Sequence, residues 1–161
     1  MVSSQGARLA LLLLGAFNAM VDEVVAELER RGHPGVRPGH EFALRAVDGG
    51  ADTAAELGRR LAVTKQAAAK TITALQQLGY VQREADPEDK RRKRLRVTPR
   101  GHEMTAIGEA AFDDVRARWA AQIGDAPLQA LEAHLEELVG HRRLEDEGLA
   151  GVGQGDGVDG R

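Results

Sequence analysis

The sequence predicts a mainly α fold with a single two-stranded β-hairpin. Three observations carry that expectation. Apolar residues recur at helical spacings of three and four through six segments of the chain. The period changes to two only once, between Tyr80 and Thr98. With aromatics at 3% and no cysteine, a core has to be assembled from Leu, Ala and Val, which favours packed helices. At 161 residues, 42% hydrophobic and 29% charged, the chain suits one globular domain and is too short for two ordinary ones.

The first helix is expected over 7–31, ended by Gly32 and Pro34. Its start, Leu9 to Met20, is apolar except for Asn18 and could pass for a signal-peptide core. That stretch is too short to span a bilayer, and Phe17, Val21, Val24 and Leu28 carry the same spacing into a charged segment. A retained helix of a cytoplasmic protein is therefore expected. A second helix begins at Pro38, a residue suited to a first turn, and breaks at Gly49 and Gly50. The third opens on Thr53 with Glu56 three residues on, a capping box, and ends near Leu61. Thr64 caps a fourth, whose buried stripe should be Ala68, Ile72 and Leu75, ending at Gly79. Tyr80 to Glu84 and Arg94 to Thr98 read as strands around a charged tip. Thr98 and Pro99 then start a long fifth helix through Trp119. After a break over 124–127, Leu128, Leu131, Leu135 and Leu138 mark a sixth with a coiled-coil-like seam. From residue 148 the chain is Gly-rich and is expected to be a disordered tail.

The net charge of −3 argues against a nucleic-acid partner until its distribution is considered. Residues 53–100 stand at +7 between flanks of −2 and −8, the footprint of a phosphate-binding surface on an acidic protein. Two short helices, a tight turn and a basic hairpin make the order of elements of a winged helix-turn-helix, in which the second helix enters the major groove. Its outward face should carry Lys65, Gln66, Ala69, Lys70 and Thr73, with Thr64 at the cap. Lys and Gln can donate to base edges, and Ala can meet a thymine methyl. An ordinary solvated helix face would look the same in isolation; the basic hairpin that follows tips the balance. There Lys90, Arg91, Arg92, Lys93, Arg94, Arg96 and Arg100 fall together, and the alternation with Leu95 and Val97 suits a strand with one buried face rather than a loose basic tail. Such a tip is shaped for a narrow minor groove.

The segments DPEDKRRKRLRVTPRG, from Asp86 to Gly101, and ELGRRLAVTKQAAAKTITALQQLGYVQR, from Glu56 to Arg83, resemble the wing signature and paired helices of the MarR-type transcriptional regulators. The resemblance covers residues 7–143, with specific motifs in 53–101. It implies one regulator domain over 1–147, with a DNA-binding part over 38–101 and dimerisation helices over 7–31 and 102–143. It implies a homodimer on palindromic operators that small anionic or phenolic ligands often release. Arg91 matches the family's minor-groove arginine and Asp89 the carboxylate that steadies it. Lys90 and Arg92 depart from the family pattern, Arg92 standing where a small residue is usual.

Other signals are weaker. His33, His40, His102, His134 and His141 lack an i, i+4 ligand pair with a carboxylate, so surface or capping roles are expected and no metal or other cofactor. Phe112 and Trp119 could line an effector pocket, although aromatics at helical spacing usually pack a core or an interface. No nucleophile, P-loop or dinucleotide motif suggests an enzyme. The rival readings are a metal-responsive regulator on this scaffold and a winged-helix protein-interaction module that never reads DNA.

Overall fold

The computed structural model describes residues 4–140. The expected Gly-rich tail, His141 and the end of the 102–143 helix lie outside those residues. Six helices and one hairpin follow in the expected order: α1 (Gln5–Arg30), α2 (Pro38–Asp48), α3 (Ala54–Arg60), α4 (Lys65–Gln77), β1 (Val81–Ala85), β2 (Lys93–Val97), α5 (Pro99–Ile123) and α6 (Asp125–Val139). The chain is mainly α with a two-stranded antiparallel wing. α1 packs along α5, and α3 packs against α4. Leu28, Leu44, Leu57, Ile72, Leu75, Tyr80 and Met104 are almost fully buried where these layers meet.

The caps do what their residue types dictate. Thr53, Thr64 and Thr98 each accept a hydrogen bond from the amide three residues on, at Glu56, Ala67 and Gly101. The expected capping box at α3 is only half made, because the Glu56 carboxylate turns away to pair with Arg59 and Arg60. β1 starts one residue later than expected, since the Tyr80 amide donates to the Leu75 carbonyl at 2.9 Å and so belongs to the close of α4. α6 starts three residues earlier than its first leucine: Gly124, at φ +99°, turns the chain sharply enough for the helix to resume at Asp125.

α1 corrects the expectation about length. Unbroken from Gln5, it contains an 18-residue window of mean hydropathy 1.8 and is long and apolar enough, by length and composition, to cross a bilayer. Its second half nevertheless belongs to the core, through Val21, Val24 and Leu28. In the first half Leu9, Leu11, Leu12, Leu13, Leu14 and Phe17 are exposed, as are Ile123, Leu131, Leu138 and Val139. Of the expected leucine seam only Leu128 is buried within this chain.

Candidate nucleic-acid interface

The turn between α3 and α4 is tight. Ala62 takes φ +50°, and a Cβ on Gly58 would stand 3.0 Å from the Val63 carbonyl oxygen, so the two helices approach through a glycine. The Thr64 cap then launches α4 with Ala68, Ile72 and Leu75 inward. Thr64, Lys65, Gln66, Ala69, Lys70 and Thr73 are all exposed on one outer face. Thr73 donates its hydroxyl to the Ala69 carbonyl at 3.0 Å, which leaves Lys65, Gln66 and Lys70 as the side-chain donors of that face. Arg60 braces the assembly from behind, donating to the Gly49 carbonyl at 2.9 Å.

The wing pairs Val81 with Val97 and Ala85 with Lys93 at the ends of its ladder. Its tip is closed by main-chain bonds from Asp86 to Arg92 (2.8 Å) and from Arg92 to Asp89 (2.9 Å). The Asp89 carboxylate accepts from the Arg91 main-chain amide at 3.0 Å, so what it steadies is the backbone that carries Arg91.

The basic run divides in two. Arg92 pairs with both oxygens of Asp52 at 3.2 Å, and Arg96 pairs with Glu84 at 3.3 Å. Gln82 and then Arg96 hold the Glu84 carboxyl below its ordinary range. Arg94 is half-buried, its Nε without a hydrogen-bond partner among the described residues. Arg100 donates to the Gly32 and Leu78 carbonyls, at 2.9 and 3.3 Å. Lys90, Arg91 and Lys93 remain as exposed cations that make no ion pair among the described residues. Sequence reasoning missed Asp52, Glu84 and Arg100 as wing braces. No local pattern pairs Asp52 with a residue 40 positions on.

Among the described residues, the buried polar side chains are His33, His40 and Glu41. His40 caps α2, its Nδ1 accepting from the Arg37 amide at 3.2 Å, whereas His33 is a core residue rather than the surface or capping group expected. Burial pushes the Glu41 carboxyl up, opposed by the Arg45 guanidinium 3.0 Å away. Burial pulls the His40 pKa from 6.5 to about 4, and the Arg37 charge acts the same way. The fold therefore holds fewer protons here than the unfolded chain. The stability this contributes is complete above about pH 6.5 and is lost as pH falls toward about 4, on the order of 3 kcal/mol. Urea denaturation across that window should show His40→Asn losing less stability than the wild type; equal losses would count against it.

Cavities flank α2 on both sides among the described residues. A polar cleft of about 310 Å³ is lined by Arg45, Asp48, His102, Thr105 and Glu109 with Leu44, Val97 and Ala106. An apolar space of about 10 Å³, room for one water, lies among Val21, Val24, Phe42 and Phe112; Trp119 does not line it. Among the described residues, no group of three His, Asp or Glu side chains is placed to hold a metal ion.

The sequence model of the MarR family matches residues 42–92, from within α2 to the wing tip. Among solved structures, the chain is similar to a MarR family transcription regulator at 21% identity and a TM-score of 0.65, covering 84% of this chain and 88% of that one. It is similar to a MarR family protein of Mycobacterium tuberculosis in complex with salicylic acid, at 26% identity and a TM-score of 0.59, covering 84% and 96%. It is also similar to a mutant of S. aureus MepR bound to an oligodeoxyribonucleotide, at 16% identity and a TM-score of 0.55, covering 81% and 94%. No curated protein matches the chain.

Proposed function

We propose that this chain, whose residues 42–92 match the sequence model of the MarR family, is a sequence-specific, double-stranded DNA-binding transcriptional repressor of that family, acting in the cytoplasm as a homodimer on palindromic operators. The observation that carries the reading is the segregation of its charge. Arg92, Arg96 and Arg100 are engaged by internal partners, while Lys65, Gln66 and Lys70 on α4 and Lys90, Arg91 and Lys93 on the tip face outward. α4 would read base edges in the major groove while the tip lies along the adjacent minor groove. The S. aureus MepR mutant of similar fold, solved bound to an oligodeoxyribonucleotide, is consistent with a nucleic-acid partner.

The homodimer is supported by the exposed leucines of α1 and the exposed Ile123, Leu131, Leu138 and Val139 of α5 and α6, an apolar surface that a two-fold partner would cover. A small anionic or phenolic effector is supported by the salicylate complex of the Mycobacterium tuberculosis relative. It would have to widen the apolar space at Phe112 or use the polar cleft on the other side of α2.

Selection of bound fragments from genomic DNA, followed by affinity measurements across salt, tests the reading. Log affinity should fall with log salt at about −0.9 per phosphate neutralised, and several contacts per subunit make the line steep. A flat line, or no duplex binding, would favour the protein-interaction alternative, and a stable monomer at micromolar concentration in sedimentation would remove the dimer.

A further inference from the structure

His33 and Tyr80 are 1% and 0% exposed, and they join three parts of the fold. His33 lies three residues past the end of α1, its amide donating to the Leu28 carbonyl at 2.8 Å. Tyr80 stands between α4 and the first strand of the wing. Glu103 and Arg100 reach them from the first turns of α5. His33 Nδ1 and the Tyr80 hydroxyl are 3.0 Å apart, and the two rings stack at 5.7 Å. His33 Nε2 faces the Glu103 carboxylate at 3.6 Å. The ring proton therefore belongs on Nε2, and Nδ1 accepts from the phenol. The Arg100 guanidinium lies over the Tyr80 ring, 5.4 Å from its centre, and donates to the carbonyls of Gly32 and Leu78, just beyond the last residues of α1 and α4.

Tyr80 also sets the base of the wing. Its carbonyl accepts from the Thr98 amide at 2.9 Å, immediately before β1 and immediately after β2. Both strands thus leave from one fixed residue. Strands of five residues at about 3.3 Å each convert a small rotation there into a larger displacement at Arg91.

We propose that the His33–Tyr80 hydrogen bond is a positioning joint that holds the wing in register with α1, so that duplex affinity requires a neutral His33. The inference rests on the DNA-binding reading above. A protonated ring could no longer accept from Tyr80, whose buried hydroxyl would lose its acceptor. It would also face Arg100 as a second cation, with Glu103, 63% exposed, as its one anionic neighbour and a weak one. Among the described residues, Arg100 and Glu103 are the charged side chains whose fields act on the ring. Burial and then the Arg100 charge pull the His33 pKa below 6.5, against the opposing pull of Glu103, which sets the neutral ring as the resting form near neutrality.

The test is the affinity of the full chain for its selected duplex from about pH 8 to about pH 5, with far-UV circular dichroism reporting the fold. The wild type should weaken at least about fivefold on the acid side of 6.5, the low end of ordinary site-to-site coupling. His33→Asn, whose Oδ1 can accept from Tyr80 but does not titrate, should bind like the wild type near about pH 8 and keep that affinity in acid. Glu103→Gln, at an exposed position, should move the loss to lower pH. Positive charge gained elsewhere on the surface in acid would have the opposite sign, because added positive charge tightens duplex binding. A wild type that is flat or tightens in acid overturns the joint. So does a His33→Asn variant that loses affinity as the wild type does, or a Glu103→Gln variant with an unmoved midpoint; if His33→Asn does not fold, Glu103→Gln decides. Absence of duplex binding near about pH 8 overturns the DNA-binding reading and the joint with it, whereas binding with a flat pH profile overturns the joint alone.

Discussion

Gly101→Ala is expected to destabilise the protein by roughly 3 kcal/mol, the upper range for forcing one methyl into a filled space. The added Cβ would stand 2.4 Å from the Tyr80 carbonyl oxygen and 2.7 Å from Val97 Cγ1. Neither neighbour is free to give way. The carbonyl is held by the Thr98 amide, and Val97 closes the wing ladder opposite Val81. Gly101 lies in the first turn of α5, so alanine should gain up to about 1 kcal/mol of helix propensity, and the clash has to exceed that gain. Gly39→Ala in α2 is the control, since its Cβ would meet nothing within 4 Å, and it should be neutral or mildly stabilising. Urea denaturation checks both. A Gly101→Ala midpoint equal to that of the wild type, with an unchanged slope, would show that the wing base yields where the packing says it cannot.

The parts of this molecule that were legible in the sequence are those fixed within a few residues. Thr64 followed by Ala68, Ile72 and Leu75 states both the cap and the buried stripe of α4, because helix geometry alone decides which side chains share a face. The Leu95 and Arg96 alternation likewise gave a strand with one buried face. Glu56 shows the limit of such reading: two arginines in the next turn compete for its carboxylate, and the local motif is left half made.

The parts that were not legible depend on long-range partners. His33 and Tyr80 meet across 47 positions, and nothing around His33 announces a buried ring. Arg92 looked like one more cation on a basic tip, but Asp52, packed beside the wing by the chain's return through α2, claims it. Charge counting along the segment therefore overstated the outward positive charge, since it cannot separate an arginine that braces the fold from one that faces solvent. The leucines of α1 and α6 show the opposite case. Their spacing was read correctly as an apolar face, yet one chain covers almost none of it.

The division between bracing and outward residues sets the largest expected effects on DNA. On the proposed dimer, every substitution acts in both half-sites, so a contact worth about 1–3 kcal/mol of base discrimination counts twice. Gln66→Ala or Lys65→Ala should flatten the preference at defined base pairs under α4, with both side chains exposed in its first turn and unencumbered by internal bonds. Arg91→Ala should weaken binding with its main sequence effect in A·T-rich flanks, because a minor groove reports width more than base identity. Asp89→Ala should act in the same flanks as Arg91→Ala, since its carboxylate fixes the backbone that carries that side chain. Binding-site selection on the wild type and on each variant checks the division. If the Lys65 and Gln66 variants keep every wild-type base preference while Arg91→Ala loses no affinity, then α4 and the wing tip are not the readers, even with the fold unchanged.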